Sequence, residues 1–572
     1  MQVVEDHDLV LLDQAPSERG ADEAGAARHQ DLLAAQRHRG SLAAAFRQTA
    51  CVLAGQLWRL GKHSAIYGLG AVVSRLIGVF LLPVVTRYLT RADVGAVETL
   101  LSLSVVLVIV LRMGISMAFF RFYFDAEDDA GRTTVVRTSF WFTMTMATFG
   151  LVAGWIFATQ ISNLLFTTDS RANLVRAAFV LLWAQMNYEQ LTSLFRVEER
   201  SVSYVAATLV NVIITVVSTI LLVAVWHKGA IGVIVGNFTG TLAVYFVLLA
   251  YRRFQLGLEF DRGLFRQMQH FGLPLVPSGI ALWVIDLSDR FFLVRMKGLA
   301  ENGLYSIGVR ISTAILLLLI ALRTAWPAFA FSIKDDNEAK RTYGFVLTYV
   351  VYAACWLSLA LSLFAPWLVR LLTTPRFYRA SEVVPLLVFG GTAFIAFNVM
   401  SIGIGRAKRT QFNWVVTGAA AAVNVGLNFV LIPPYGIIGA AISTLVAYVV
   451  MFLGMTVRAQ QVFPVPYQWR RLALASGTAV GLTVLGKAID VPFAGAVALT
   501  AVYPLLLLGL GFYLPVERRR LLALVGLPRR DGGQAEHGPD GRVLEEVVVE
   551  EAVNADRGED EPAGERGQAR QV

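Results

Sequence analysis

The stretch "LTRADVGAVETL" (residues 89–100) returns in altered form as "LAENGLYSIGVRI" (residues 299–311). This alignment pairs Gly95 with Gly303, at an offset of 303 − 95 = 208 residues. Two further pairs of segments lie at nearly the same offset: "LLFTT" (164–168) with "RLLTT" (370–374), and "HKGAIGVIVGNFTG" (227–240) with "PYGIIGAAISTLVA" (434–447). Three landmarks at nearly one offset indicate that the chain contains an internal repeat.

The composition indicates a chain that lies in a membrane. Hydrophobic residues make up 56% of the 572 residues, charged residues only 16%, and the mean hydropathy is +0.59. A soluble globular chain carries about 25% charged residues, so a polytopic membrane protein is predicted. About fourteen apolar runs are each long enough to cross a hydrocarbon core of roughly 30 Å as a helix.

The repeat and the apolar runs together predict the architecture. Each repeat holds about six spans, and an even number places both halves in the membrane in the same orientation, as a parallel repeat. We therefore predict an all-α fold of two six-helix lobes followed by two C-terminal helices. The predicted boundaries are an N-terminal, largely disordered extension (1–58), an N-lobe (59–255), a C-lobe (256–460), the last two spans (461–525) and a disordered acidic tail (526–572).

The distribution of basic residues predicts the orientation. Lys and Arg are concentrated in the loops on the side of the two termini, and the positive-inside rule predicts that both termini are cytoplasmic. We expect the membrane to be the inner (plasma) membrane. The loop with Arg370, Arg376 and Arg379 is an exception to this pattern.

Several functional classes are disfavoured. The net charge of +9 resides mostly in short loops between apolar runs, so nucleic-acid binding is not expected. The two cysteines and seven histidines show no metal-binding or redox spacing. An enzyme is not expected either, because no nucleophile or acid–base constellation is visible.

Arg75 lies near the middle of the first span, in "GLGAVVSRLIGVFLLPVVTRYLT" (residues 68–90). An arginine at the bilayer centre costs about 2.5–3.5 kcal/mol, so its side chain must face protein or water. Two interpretations remain open. Arg75 lines a cavity, or it has a structural role, either paired with an acid such as Glu98 on the next span or reaching the membrane surface.

The seventh span carries a second polar face, in "LWVIDLSDRFFLV" (residues 282–294). Asp286, Asp289 and Arg290 are spaced i, i+3 and i+4, so they share one face of a helix. Asp286 and Arg290 could neutralise each other, but the face must still meet an interior. On the eighth span Arg310 is a candidate cavity residue.

The fourth span contributes "WAQMNYEQL" (residues 183–191). Its Gln185 and Asn187 could bind sugar hydroxyls or form hydrogen bonds across helices. A cleft lined by arginines favours an anion, because guanidinium binds phosphate bidentately, and a phosphorylated lipid combines that charge with an acyl chain.

These features resemble the polysaccharide lipid flippases of the MOP superfamily, with lipid II flippases and MATE antiporters as relatives. The residues that carry the resemblance are in three segments: "SRLIGVFLLPVVTRYLTRADVG" (74–95), "DLSDRFFLVRMKGLAENGLYSIGVRI" (286–311) and "NVGLNFVLIPPYGIIGAAISTLVAY" (424–448). The resemblance implies a V-shaped pair of lobes around a cationic cavity. It also implies that an undecaprenyl-pyrophosphate-linked saccharide is moved from the cytoplasmic to the outer leaflet by alternating access.

The resemblance also implies roles for individual residues. Arg75 matches the arginine after the serine in the family's first-span pattern, and Asp289 with Arg290 matches its seventh-span Asp-Arg. We expect Arg75, Arg290 and Arg310 to bind pyrophosphate, with Gln185 and Asn187 near the sugar. We expect Asp286, Asp289 and Glu98 to tune this site or to carry a coupling ion, H⁺ or Na⁺, with no other cofactor. The expected partners are the lipid-linked saccharide, the bilayer, and a polysaccharide polymerase or glycosyltransferases.

Three alternatives stay open. A MATE-type antiporter would export organic cations, which an arginine-lined cavity repels. A lipid II flippase carries a further arginine about one and a half turns after the Ser-Arg, where this chain reads "VFLLPVV" (residues 79–85). A membrane glycosyltransferase or polymerase would need a larger outer loop than this sequence provides.

Overall fold

The computed structural model describes residues 79, 81–253, 255–407, 413–515, 517 and 518. Within these residues the regular structure is entirely helical, with eighteen α-helices and no strand. Ten helical segments are long and apolar enough to cross a membrane. The prediction of an all-α polytopic membrane protein is confirmed, while the number of fourteen spans stays a prediction. Arg75, the extension (1–58) and the tail (526–572) lie outside the described residues.

The first half of the described chain contains eight helices. In chain order they are α1 (Leu82–Tyr88), α2 (Arg91–Arg112), α3 (Ile115–Asp125), α4 (Asp129–Ile156), α5 (Ala158–Phe166), α6 (Ala172–Val197), α7 (Ser201–Ile220, continued by a π-turn at Leu221–Val225) and α8 (Gly229–Arg252).

The second half begins with α9 and contains ten helices. They are α9 (Arg262–Gly272), α10 (Val276–Lys297), α11 (Leu299–Ser312), α12 (Leu316–Ser332), α13 (Asp336–Leu372), α14 (Val384–Arg406), α15 (Asn413–Tyr435), α16 (Ile437–Val462), α17 (Trp469–Ala488) and α18 (Phe493–Gly509). Short 3₁₀ segments join several of them, at Leu273–Leu275, Thr313–Ile315 and Pro375–Glu382.

The repeat is visible in how corresponding helices begin. The Asp128 carboxylate accepts a hydrogen bond from Gly131 N at 2.8 Å, and the Asp335 carboxylate accepts one from Glu338 N at 2.7 Å. These two N-caps start α4 and α13 and lie 335 − 128 = 207 residues apart. A side-chain oxygen at this position satisfies one of the free N–H groups of the first helical turn.

The loops preceding α8 and α16 show the same correspondence. Gly229 has φ = 57° and Gly436 has φ = 56°, again 436 − 229 = 207 residues apart. Glycine occupies both positions because a side chain is unfavourable in this left-handed conformation.

One ion pair also occurs in both halves. It accounts for Arg379, one of the arginines in the loop that departs from the positive-inside pattern. Arg171 lies 3.5 Å from Asp93, and Arg379 lies 3.6 Å from Glu301. Both partners are offset by 208 residues, since 379 − 171 = 301 − 93 = 208. Arg379 therefore has a structural partner on the helix that it faces, as its counterpart does. The Arg370 guanidinium lies over the Tyr378 ring in the same loop.

The two halves share a buried core where α2 and α11 begin. One hydrophobic cluster there contains residues of both halves, among them Val97 and Leu304. A second cluster contains buried residues between Ile115 and Met268, with Met268 contributed by α9, and a third contains those between Trp326 and Phe512. We call the end at which α2 and α11 begin the closed end.

Candidate substrate site between the two halves

Helices α2 and α11 cross at the closed end with their two repeat-related glycines in contact. A Cβ atom added to Gly95 would lie 3.0 Å from Gly303 N, and one added to Gly303 would lie 3.0 Å from Gly95 N. Asn302 Nδ2 donates hydrogen bonds to Gly95 O at 3.0 Å and to Thr99 Oγ1 at 2.9 Å. This close approach places the next turns of both helices within side-chain reach of each other.

An ion cluster lies beyond this crossing. Glu98 on α2 is buried, and its Oε1 accepts a hydrogen bond from Arg310 Nε at 2.8 Å and a second from Arg310 Nη2. Arg290 on α10 lies with its Nη2 3.9 Å from Glu98 Oε2, and its Nη1 donates to Ser102 Oγ at 2.9 Å. Three of the predicted site residues, Glu98, Arg290 and Arg310, are thus brought together from three helices and both halves.

The cluster keeps unused hydrogen-bonding capacity. Arg290 is 6% exposed, and its Nε is buried without a hydrogen-bond partner among the described residues. The Arg310 side chain is 30% exposed. A buried donor without a partner costs free energy, so this cluster is suited to an additional acceptor.

Asp289 directly precedes Arg290 on α10 and is held by several hydrogen bonds. Its Oδ1 accepts a hydrogen bond from Arg290 N at 2.8 Å. Its Oδ2 accepts from Tyr305 OH and from Thr444 Oγ1, the latter at 3.4 Å. Asp289 is 1% exposed. Counted formally, the carboxylates of Glu98 and Asp289 and the guanidinium groups of Arg290 and Arg310 sum to zero.

An amide pair is buried on α15, next to Ser288 of α10. Ser288 Oγ donates to Asn424 Oδ1 at 3.3 Å, and Asn428 Nδ2 donates to the same oxygen at 3.1 Å. Asn424 Nδ2 and Asn428 Oδ1 have no hydrogen-bond partner among the described residues. Sequence reasoning missed these residues as site residues, although their i, i+4 spacing in an apolar span was visible.

Asp286 is bonded to a tyrosine rather than to Arg290. Its Oδ1 accepts a hydrogen bond from Tyr448 OH on α16, and its side chain is exposed. Within the described residues it forms no ion pair with Arg290. Asp286 and Asp289 thus lie on one face of α10 but accept hydrogen bonds from different side chains, Asp286 from Tyr448 and Asp289 from Tyr305 and Thr444.

Gln185 and Asn187 are held within α6. Gln185 Nε2 donates to Glu189 Oε1 at 2.9 Å, and Glu189 pairs with Arg112 at 2.7 Å. Asn187 is fully buried and its Nδ2 donates to Trp183 O at 2.8 Å. Neither side chain hydrogen-bonds to the ion cluster within the described residues.

No group of three or more His, Cys, Asp or Glu side chains that could hold a metal ion occurs in the described part of the chain. The polar groups between the halves described above are guanidinium, carboxylate, amide and hydroxyl groups. Guanidinium groups are suited to binding an anionic headgroup.

Residues 60–333, just under half of the chain, match the family model described as "Polysaccharide biosynthesis protein". Among curated proteins, an uncharacterized membrane protein of Methanocaldococcus jannaschii is 26% identical over 204 residues. That alignment covers 34% of this chain and 39% of the archaeal protein.

Two solved structures share the fold. The lipid II flippase MurJ in an inward closed conformation matches with a TM-score of 0.62 and 12% identity, over 77% of this chain and 98% of that one. An inward-facing multidrug MATE transporter of the MOP superfamily matches with a TM-score of 0.52 and 17% identity, over 70% of this chain and 95% of that one. The family-model match bears out the predicted resemblance to polysaccharide biosynthesis proteins over residues 60–333, and the two solved structures show that the fold is of the predicted MurJ-like and MATE-like kind.

Proposed function

We propose that this protein is a flippase that moves a polyprenyl-pyrophosphate-linked oligosaccharide from the inner to the outer leaflet by alternating access. The family match to polysaccharide biosynthesis proteins and the MurJ-like and MATE-like fold support a transporter of this kind. The observation that carries the proposal is the meeting of Arg290 and Arg310 with Glu98 at the interface of the two halves.

The cluster provides a mechanism for coupling binding to movement. In the described state Glu98 holds Arg310 across the interface, so this contact stabilises the closed end. A pyrophosphate group competes with Glu98 for the same guanidinium groups, because both are bidentate oxygen acceptors. Binding therefore replaces the contact between the halves by contacts to the substrate, and the halves separate at the closed end. A ligand shifts such an equilibrium only through its different affinity for the two states, and this competition supplies that difference.

Arg75 is proposed as a third guanidinium for the substrate. It lies outside the described residues, and its role rests on its depth in the first span and on the family resemblance. Because the four described charges sum to zero, one additional cation would leave the site with a net positive charge that attracts the anionic lipid.

Asp289 is the residue that we propose for coupling to H⁺ or Na⁺. It is buried beside Thr444 Oγ1, and hard cations such as Na⁺ prefer carboxylate, hydroxyl and amide oxygens. We expect Asp289→Asn to remove the dependence of transport on the ion gradient. Applying Na⁺ and H⁺ gradients separately to proteoliposomes measures this. A variant that retains the wild-type gradient dependence would exclude Asp289.

Flipping of a fluorescent polyprenyl-pyrophosphate saccharide in proteoliposomes tests the main proposal, with outer-leaflet label removed by dithionite. Arg290→Lys and Arg310→Lys keep the charge but lose the planar fork, so we expect each to flip at least about tenfold more slowly. The control is Arg121→Lys, because Arg121 is exposed and pairs with Asp125 on α3. Wild-type flipping by both cluster variants would refute the assignment.

A MATE-type antiporter is the second candidate, since a MATE transporter shares the fold. Expression in a strain sensitive to cationic dyes tests it directly. We expect no gain of resistance, because the proposed guanidinium of Arg75, added to four charges that sum to zero, gives the site a net positive charge that repels an organic cation. The location in the inner membrane, the cytoplasmic termini and the association with a polymerase or glycosyltransferases remain proposals of the same kind.

A further inference from the structure

A cluster of aromatic rings lies in the second half, between α14 and α16. The Phe394 and Tyr448 rings have centroids 5.0 Å apart, and the Phe394 and Phe397 rings are nearly parallel at 6.1 Å. Phe394 is buried, whereas Phe397 and Tyr448 are only half-buried. Phe394 therefore supports two rings that are partly accessible. We call Phe394, Phe397 and Tyr448 the aromatic wall.

Polar side chains border the aromatic wall on two sides. On one side the Asp286 carboxylate accepts the hydrogen bond from Tyr448 OH. On the other, Arg323 Nε and Nη2 donate to Asn398 Oδ1 at 3.0 Å and 2.9 Å, and the Arg323 guanidinium lies 5.7 Å from the centroid of the Phe394 ring. Both Asp286 and Arg323 are exposed.

The exposure of these charges indicates that the aromatic wall faces water rather than lipid. Asp286 lies inside the apolar helical segment Arg262–Lys297, and Arg323 lies three residues beyond the apolar segment Leu299–Ile320. A charged side chain at membrane depth costs about 2.5–3.5 kcal/mol when it faces hydrocarbon. The exposed Asp286 carboxylate, with the exposed Arg323 guanidinium at the other edge of the same surface, therefore favours an aqueous cleft in front of that surface.

The aromatic wall adjoins the proposed pyrophosphate site. Asp286 precedes Arg290 by four residues on α10, which corresponds to about 6 Å along the helix and to the same face. A group bound to Asp286 would thus lie about one sugar ring away from a phosphate bound to Arg290.

We propose that the aromatic wall, with Asp286, Arg323 and Asn398 at its edges, binds the saccharide portion of the lipid-linked substrate. The apolar C–H face of a pyranose ring packs on the half-buried rings of Phe397 and Tyr448. The sugar hydroxyls donate to the Asp286 carboxylate and accept from Arg323. This inference rests on the proposed function, since it names a second part of the same substrate.

The charge at the aromatic wall distinguishes a sugar from an organic cation. Aromatic rings and a carboxylate also suit a cation. Here, however, the Arg323 guanidinium already lies over the Phe394 ring, and like charge repels a second cation from this position. A neutral ring with many hydroxyl groups can use the carboxylate, the guanidinium and the aromatic faces together.

The test compares two lipids in binding to the purified full-length protein. One is undecaprenyl pyrophosphate, and the other is the pool of lipid-linked saccharides extracted from the organism's own membranes. We expect wild type to bind the saccharide-bearing lipid more tightly. Phe397→Leu and Arg323→Gln should each reduce this preference about five- to tenfold, in line with the loss of one aromatic contact or one charged hydrogen bond. Neither should change the affinity for undecaprenyl pyrophosphate by more than about twofold.

Two controls separate this inference from the proposed function. Arg290→Lys should weaken both lipids by the same factor, because it acts on the shared pyrophosphate. Phe429→Leu should change neither affinity, because Phe429 is an exposed aromatic residue of α15 outside the aromatic wall.

The outcomes are distinct. If wild type binds neither lipid, the proposed function fails, and this inference fails with it. The saccharide site alone is overturned if wild type binds both lipids equally, or if Phe397→Leu and Arg323→Gln leave its preference unchanged. It is likewise overturned if tetraphenylphosphonium binds in a Phe397-dependent manner while no preference for the saccharide exists, which would assign the aromatic wall to an organic cation.

Discussion

The contact between Gly95 and Gly303 makes a quantitative prediction about the closed end. Replacing either glycine by alanine adds a Cβ atom 3.0 Å from the backbone nitrogen of the other glycine, and still closer to a carbonyl group of the facing helix. These neighbours are backbone atoms, so the helices themselves must move apart. Overpacking of this kind costs about 1–3 kcal/mol.

This cost applies only to the state in which α2 and α11 are in contact. The gain in helix propensity from Gly to Ala, roughly 0.5–1 kcal/mol, is present in both states and cancels. The ratio of closed to open molecules should therefore fall by about 5- to 150-fold in Gly95→Ala and in Gly303→Ala.

Distance measurements between two spin labels at the closed end test this expectation. Suitable positions are Arg87 and Arg376, both exposed, because their neighbours Thr86 and Thr374 are joined by a hydrogen bond of 3.1 Å across the two halves. The short distance of wild type should lose population to a longer one in both alanine variants.

Gly418→Ala is the matched control for the closed-end variants. Gly418 lies in α15, and an added Cβ atom meets nothing within 4 Å. It therefore provides the same gain in helix propensity without a clash. If Gly95→Ala and Gly303→Ala show the same distances as Gly418→Ala, the crossing does not control closure and the reasoning is wrong.

Three further predictions test the stabilising contacts. Glu98→Gln and Arg310→Gln should be non-additive, with a coupling of about 1–3 kcal/mol in a double-mutant cycle of unfolding, because they share one ion cluster; additive effects would contradict this. Arg379→Ala should lower stability by less than about 1 kcal/mol, because its side chain is 58% exposed; a large loss in the melting temperature would show that its loop is more tightly coupled than the exposure suggests. Arg471→Gln should lower the melting temperature by several degrees more than Arg470→Gln, because Arg471 is buried and Arg470 is exposed; equal effects would refute this.

The all-α, repeated fold could be predicted from the sequence because both the internal repeat and the apolar spans are visible as local sequence patterns. The spacing of Gly229 and Gly436 indicated how the two halves correspond, and the structure gives both glycines nearly the same positive φ, 57° and 56°. The sequence did not indicate that Gly95 and Gly303 would touch. That contact follows only when the axis relating the halves passes through the crossing of α2 and α11, so that equivalent residues face each other.

The site was harder to predict because a sequence gives the depth of a residue but not the direction of its side chain. Glu98 was considered as a partner of Arg75, which lies outside the described residues; among the described residues it pairs with Arg310 on a helix of the other half. Asn187 and Gln185 had a suitable depth for a site, but they bind groups of their own helix. The partners of Asp286 and Asp289, Tyr448 among them, lie on other helices at positions that no spacing rule connects to α10.

The repeat nevertheless contains information about the site that can be read from sequence once the crossing is known. Glu98 corresponds to Ser306, and Arg310 corresponds to Ser102, since 306 − 98 = 310 − 102 = 208. A two-fold axis through the crossing therefore relates the positions of Glu98 and Arg310 to those of Ser306 and Ser102. The first two positions carry charges that form an ion pair, whereas the second two carry hydroxyl groups, of which Ser102 Oγ accepts a hydrogen bond from Arg290. The backbone arrangement that allows the two halves to close is symmetric, but the charges that would recognise a phosphate are not. A substrate site is thus distinguished from the framework that both halves share by certain positions. At these positions one repeat has a charged residue and the other has a small polar residue.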